Sequence, residues 1–200
     1  SIANSAADWI WAPMWKKYPR LRMALSEGGI GWIPYLLERA DFTHNHHNAW
    51  TMSNFGGRKP SEVFNEHIIT CFIEDEYGLK NLDSINVDKV TWECDYPHSD
   101  CTWPLSADVF HRQATAQRLS DEVINKITHL NAMREFSYDP FSILGRENCT
   151  VGALRAKAAH VSVEPALGMG GAAPVRDPNK PVTSGDINKM FASADAQTAL

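Results

Sequence analysis

The chain is 200 residues long, 44 % apolar and 22 % charged, with a net charge of −5, as suits one globular domain with or without a tail. That balance creates no field for nucleic acid or an anionic membrane, and the apolar runs fall short of the ~20 residues a bilayer span needs. Cys71, Cys94, Cys101 and Cys149 lack CxxC spacing and residues 1–15 do not read as a signal peptide. These features argue against a zinc knot and for a reducing, cytoplasmic compartment.

In chain order, "SAADWIWAPMWKKYP" predicts a helix closed by Pro19, and "LRMALSE" a first strand. Gly28, Gly29 and Gly31 then turn the backbone into "IGWIPYLLERAD", where Ile30, Ile33, Leu36, Leu37 and Ala40 recur at helical spacing. "FTHNHHNAW" and a polar connection follow, and Ser61 is the expected N-cap of the next helix. "HIITCFIED" predicts a second strand, Leu79 and Leu82 mark a short helix, and "KVTWEC" predicts a third strand. Ser106 is expected to cap a helix through Val109 and Phe110. "SDEVINKITHLNAMREF" has the strongest helical pattern, with Asp121 and Glu122 at its positive end and a stripe of Val123, Ile127 and Leu130. "TVGALRAKAAHV" reads as one more helix. The aperiodic Gly, Pro and Ala composition beyond Val163 reads as a mobile tail, with a short helix around Ile187 to Phe191. The expected division is a folded part over 1–140, a helical extension over 141–162 and a disordered tail over 163–200.

Repeated strand–helix units imply an α/β fold with a parallel sheet and outer helices. In such folds functional groups gather beyond the C-terminal ends of the strands. Here those ends carry Glu27, Glu74 and Asp95. Three acids in one cleft need a cation, because like charges repel, and without a metal one of them should be protonated. Zinc or manganese accepts mixed carboxylate and imidazole ligands, acidifies water, and leaves a neighbouring carboxylate to take the proton. His98, three residues after Asp95, lies in the same turn. His44, His46 and His47 form a local cluster that reads first as a solvated helix end and second as a metal-storing surface. His67, His111, His129 and His160 read as structural. "EGGIG" matches neither the dinucleotide nor the P-loop pattern, and no Gly-x-Ser-x-Gly elbow is present. Trp32, Trp92 and Trp103 read as core or pocket wall.

"WKKYPRLRMALSEGGIGWIPYLLERAD", "HIITCFIEDEYGL", "KVTWECDYPHSDCTWP" and "INKITHLNAMREF" occur in this order. Together they resemble the C-terminal part of the metal-dependent amidohydrolase-related family that includes aminocarboxymuconate-semialdehyde decarboxylase. The resemblance runs from about Ala6 to Phe136, and Asp-Tyr-Pro with the downstream Asn-Ala helix is its most specific part. It implies the C-terminal portion, about strands six to eight, of a (β/α)8 TIM-type barrel. It also implies a divalent metal, zinc first with manganese or iron as alternatives, most of whose ligands lie outside this chain. Those ligands are a His-x-His pair on the first strand and a His on the fifth, with Asp95 in the place of the last ligand.

Glu27 stands where the family commonly has a His acting on water, so it is expected as a base or a further ligand. Glu74 is expected behind the ligands, and His98 and Trp103 against a small-molecule substrate. The reaction would be hydrolysis or decarboxylation. The partner would be the rest of the barrel or a second copy, which makes the chain a fragment, a processed piece or half of an assembly. The competing expectation is a non-catalytic module in which the change from His to Glu27 marks a lost metal site.

Overall fold

The computed structural model describes residues 2–98 and 100–162. Three short strands, β1 (Met23–Leu25), β2 (Ile68–Phe72) and β3 (Val90–Trp92), form a parallel sheet in the order β1-β2-β3. The register sets Leu25 beside Thr70 and Phe72 beside Trp92. The central strand is buried at every residue, which is why "IITCF" is a continuous apolar run and not an alternating one. Ile68, Phe72 and Val90 pack in one cluster with Ile10, Ile30, Ile33, Phe64, Phe110 and Ile127, and each such side chain contributes about 1.5–3 kcal/mol through burial. Ala24, Ile69, Cys71 and Thr91 instead line a cavity of about 180 Å³ with Ala132 and Phe136.

The helices depart from the sequence expectation at their ends, for local reasons. The first predicted helix is two, α1 (Ile2–Ile10) and α2 (Met14–Lys17). Pro13 lies between them, lacking the N–H that a continuous helix would use. The Trp15 indole donates back to Trp9 O at 2.6 Å. α3 (Ile33–Thr51) absorbs the whole of "FTHNHHNAW".

α4 (Pro60–His67) is capped at Lys59 with Pro60 in its first turn, a position where the missing N–H costs nothing. Ser61 is therefore not the cap. Its N–H and hydroxyl both donate to the Asp41 carboxylate, at 2.9 and 2.7 Å, and tie α4 to α3. α4 runs straight into β2, so His67 ends the helix. It is buried, stacked on Trp15 at 4.6 Å and paired with Leu21 O at 2.9 Å.

α5 (Glu76–Lys80) is followed by 3-10 turns over Leu82–Ser84 and Val87–Lys89. α6 (Ser106–Ala116) is capped at Leu105, because the Ser106 hydroxyl is engaged with Cys94 Sγ at 3.0 Å. α7 (Asp121–Asn125), a π-helical turn over Lys126–Leu130, and α8 (Asn131–Glu135) make up the strongly patterned helix. Its cap is Ser120, whose Oγ accepts from Val123 N–H at 3.3 Å. α9 (Pro140–Leu144) and α10 (Val151–Lys157) follow, the latter capped by the Thr150 hydroxyl. The expected tail over 163–200, with its short helix, lies outside the described residues. Among the described residues no helix is long and apolar enough to cross a membrane.

One buried polar clamp fixes the beginning of β3. The Asn131 amide donates to both Val87 O and Val90 O at 2.7 Å. Lys89 Nζ lies 2.8 Å from Glu135 Oε1, with the two side chains 16 % and 8 % exposed. Burial alone would raise the Glu135 carboxyl, but Lys89 and Arg134 reverse the effect and hold it below its ordinary value. Arg134 also donates to Asp88 O. The Asn-Ala helix thus acts as a brace on the strand that leads to Asp95.

Candidate metal centre

The strands stop at Leu25, Phe72 and Trp92, so the acids anticipated at their ends sit two or three residues further on. Glu27 and Asp95 both have left-handed backbone, φ 60° and 56°, which costs a residue bearing a Cβ about 1 kcal/mol. β1 and β3 are not neighbours. With β2 between them their axes stand about 9–10 Å apart, too far for side chains at the strand ends to meet without help from the loops. Glu93 supplies part of that help. Its N–H donates to Phe72 O at 3.1 Å, continuing the ladder, while its carboxylate accepts the Glu27 N–H at 2.8 Å. The loops after β1 and β3 therefore converge over the end of β2. One ligand atom each from Glu27, Asp95 and His98 lie within 4.8 Å of one another.

A tight turn sets the Asp95–His98 pair, with His98 N–H donating to Asp95 O at 2.8 Å. His98 Nδ1 lies 2.9 Å from Asp95 Oδ2 and 3.8 Å from Asp100 Oδ1. The first contact is short yet lacks hydrogen-bond alignment. Asp95 Oδ2 is shielded from water and has no hydrogen-bond partner. A buried polar atom left this way costs about 1–3 kcal/mol, more when it is charged. A cation removes that cost directly. Two carboxylates and an imidazole with no thiolate form a donor set that zinc and manganese both accept, so the residues present fit a divalent metal.

The surroundings are built from the same loop. Trp103 packs against Tyr96 with ring centroids 4.8 Å apart, and both rings are more than half exposed. Cys94 Sγ lies 3.7 Å from Cys101 Sγ, and Trp103 N–H donates to Cys101 Sγ at 3.1 Å. Partial burial pushes the Cys101 thiol above its ordinary value, against the pull of that N–H. Beneath the convergence, burial and the neighbouring Glu93 carboxylate push Cys71 up to about 12, which keeps it a neutral thiol at physiological pH.

Of the residues named from the sequence, Glu27, Asp95 and His98 come together, and Trp103 borders their loop through Tyr96. Glu74 is exposed and outside this cluster. The acid that organises the glycine loop is its neighbour Asp75, which accepts from Ile30 N–H at 2.6 Å, Gly31 N–H at 2.8 Å and Gly78 N–H at 2.7 Å. Gly29, at φ 65°, passes so close that a Cβ there would sit 2.9 Å from Asp75 Oδ2. Sequence reasoning missed both Asp75 and Glu93. The Asp-x-x-Gly spacing before α5 was a capping signal for the first, and the position of Glu93 two residues before Asp95 was the only one for the second.

The histidines of α3 have separate partners: His44 pairs with Ser53, His46 with Phe42 O, and His47 with the Trp50 indole. Among the described residues, Glu27, Asp95 and His98 form the one group of three that could hold an ion.

Comparison with known proteins bears on this arrangement. No curated protein sequence matches the chain. Among solved structures it is similar to a 5-carboxyvanillate decarboxylase from Sphingomonas paucimobilis, with TM-score 0.55 and 23 % identity over 68 % of this chain and 39 % of that one. A dihydroxybenzoic acid decarboxylase from Polaromonas sp. JS666, with bound manganese and the inhibitor 2-nitroresorcinol, gives TM-score 0.51 and 24 % identity over 68 % and 39 %. An amidohydrolase from Mycobacterium avium subsp. paratuberculosis K-10 gives 0.52 and 20 % over 66 % and 32 %. At these identities the likeness is one of fold, and the chain spans only 32–39 % of the length of these solved structures. The model of the amidohydrolase family matches residues 5–137, from α1 through the brace helix and across both loops of the cluster. The chain belongs to the amidohydrolase family.

Proposed function

We propose that the chain supplies the metal-binding end of an amidohydrolase-type enzyme acting on a small molecule, as the part equivalent to about strands six to eight of a (β/α)8 barrel. The observation that carries this reading is the meeting of Glu27, Asp95 and His98 beyond the ends of non-adjacent parallel strands. Left-handed backbone at both acids supports it, since such strain persists where the surrounding structure imposes it, often at a functional site.

A divalent cation held by Asp95 and Glu27, with His98 beside them, would supply a Lewis acid and acidify water near neutral pH. Asp95 binds, with its buried Oδ2 already stripped of water. Glu27, more exposed, either binds or takes a proton from the reacting group. Glu93 positions Glu27 through its N–H. Tyr96 and Trp103 give an aromatic wall against which a small planar substrate can lie.

Hydrolysis and decarboxylation both suit this chemistry, and two decarboxylases among the similar folds support the second. Manganese in one of them supports a divalent ion, with zinc and iron as further candidates. β1 and β3 each have one strand neighbour among the described residues. The free edges support pairing with further strands, from the remainder of a barrel or from a second copy.

The test is calorimetric titration of manganese and of zinc into the protein and into Asp95→Ala. One ion per chain or per assembled site, lost in the variant, is the expected result. Unchanged affinity in Asp95→Ala overturns the assignment and leaves a non-catalytic family member.

A further inference from the structure

Cys94 and Cys101 bracket the turn that carries Asp95 and His98, and all four cysteines are free thiols. Two successive backbone contacts fold this segment on itself. His98 N–H reaches Asp95 O at 2.8 Å, and Cys101 N–H reaches His98 O at 3.3 Å. The result is a Cys94 Sγ to Cys101 Sγ distance of 3.7 Å. A disulfide needs about 2.05 Å, so the sulfurs must close by about 1.7 Å. Ser106 Oγ also lies 3.0 Å from Cys94 Sγ. Cys94, Cys101 and Cys149 are all partly buried and Cys71 is buried; Cys149 faces the Pro140 carbonyl at 3.8 Å and no second thiol. No other pair of thiols is brought together among the described residues.

We infer that Cys94 and Cys101 are a thiol–disulfide exchange site, closing to an intrachain disulfide with a small-molecule disulfide as oxidant. One cysteine thiolate attacks a sulfur of the small disulfide and expels one thiolate, leaving a mixed disulfide. The second cysteine thiolate attacks the protein sulfur of that bond and expels the other thiolate. The cysteines lose two electrons and two protons, and the small disulfide becomes two thiols. The ring so formed contains Asp95 and His98, so its closure ties both ends of the turn that bears them. The exchange itself needs no metal and does not rest on the metal reading.

The full chain is equilibrated with graded ratios of oxidised to reduced glutathione, quenched in acid, alkylated under denaturing conditions and digested with trypsin. Cleavage after Lys89 and Arg112 releases a peptide whose only cysteines are Cys94 and Cys101. The expected product is that peptide unalkylated and lighter by two hydrogens, at ratios where the peptides of Cys71 and Cys149 are still fully alkylated. Two alkyl groups on the 90–112 peptide at those ratios overturn the inference. So does a persistent single glutathione adduct, which would mean that the second sulfur cannot reach. Cys101→Ser is expected to stop at that adduct on Cys94, and closure to another cysteine in that variant would also count against the pair. Because the readout is mass alone, failure here and failure of manganese binding are separate results.

Discussion

The two ends of the sheet differ in how their charged groups and backbone are held. At the start of β3, the Asn131 amide nitrogen meets two carbonyls, although its Oδ1 is buried without a hydrogen bond, and the buried Lys89–Glu135 pair is closed. Beyond the far ends of β1 and β3, two acids adopt left-handed backbone, and the buried Asp95 Oδ2 accepts no hydrogen bond and has only the His98 ring 2.9 Å away. One end uses its polar groups to hold the fold, and the other holds them against local preference. That division is expected of a parallel α/β fold, where the N-terminal end of the strands carries stability and the C-terminal end carries chemistry. It follows that substitutions at the first end should lower stability, and those at the second should lower ion binding and spare or raise stability.

The largest effect is expected at Asn131. Asn131→Ala removes both amide hydrogen bonds and opens a void, which should cost about 3 kcal/mol in denaturant unfolding; a loss below 1 kcal/mol would break the contrast at its stable end. Next comes Asp95→Ala, expected to weaken manganese binding about 100-fold, or about 2.7 kcal/mol, with unfolding unchanged or slightly harder. A large loss of stability there would reassign Asp95 to the structural side.

Glu135→Gln leaves Lys89 buried without its charge partner and should cost about 2 kcal/mol. This pair also predicts a pH dependence. Because the folded Glu135 carboxyl lies below its ordinary value, its contribution is complete above the unfolded value of about 4.3 and fades as pH falls through the folded value. The acid limb of the stability curve should be shallower in Glu135→Gln, and an identical limb would remove Glu135 from the brace. The smallest effect sharpens the other side. Glu27→Gly relieves the positive φ and should raise stability by about 0.5–1 kcal/mol while weakening manganese binding about tenfold. A destabilised Glu27→Gly would mean that the strain at this loop is not set by the backbone.

Several features were legible before any fold was known. "IITCF" announced a strand, which the fold buries at every residue, and the acids of "DEVIN" announced a helix start that Ser120 caps. Cap positions were less legible. Ser61 and Ser106 have the right chemistry for caps, but Asp41 and Cys94 claim their hydroxyls, and those partners are 20 and 12 residues away in the chain. The break between α1 and α2 at Pro13 was readable and overlooked in favour of the later proline, Pro19.

The sequence by itself determined three strand cores, their helical spacers and the acids that follow them, because periodicity and residue type act within a few positions. It also put Cys94 and Cys101 on either side of one turn. Only the tertiary structure decided which acids share a site. Glu27 and Asp95 belong to strands that never touch, and they meet because parallel pairing through β2 and the Glu93 hydrogen bond draw their loops together. Glu74, on the strand between, follows the same rule of sequence and is left exposed. Position along the chain fixes where a side chain can begin, but the sheet and its loops fix what it can reach.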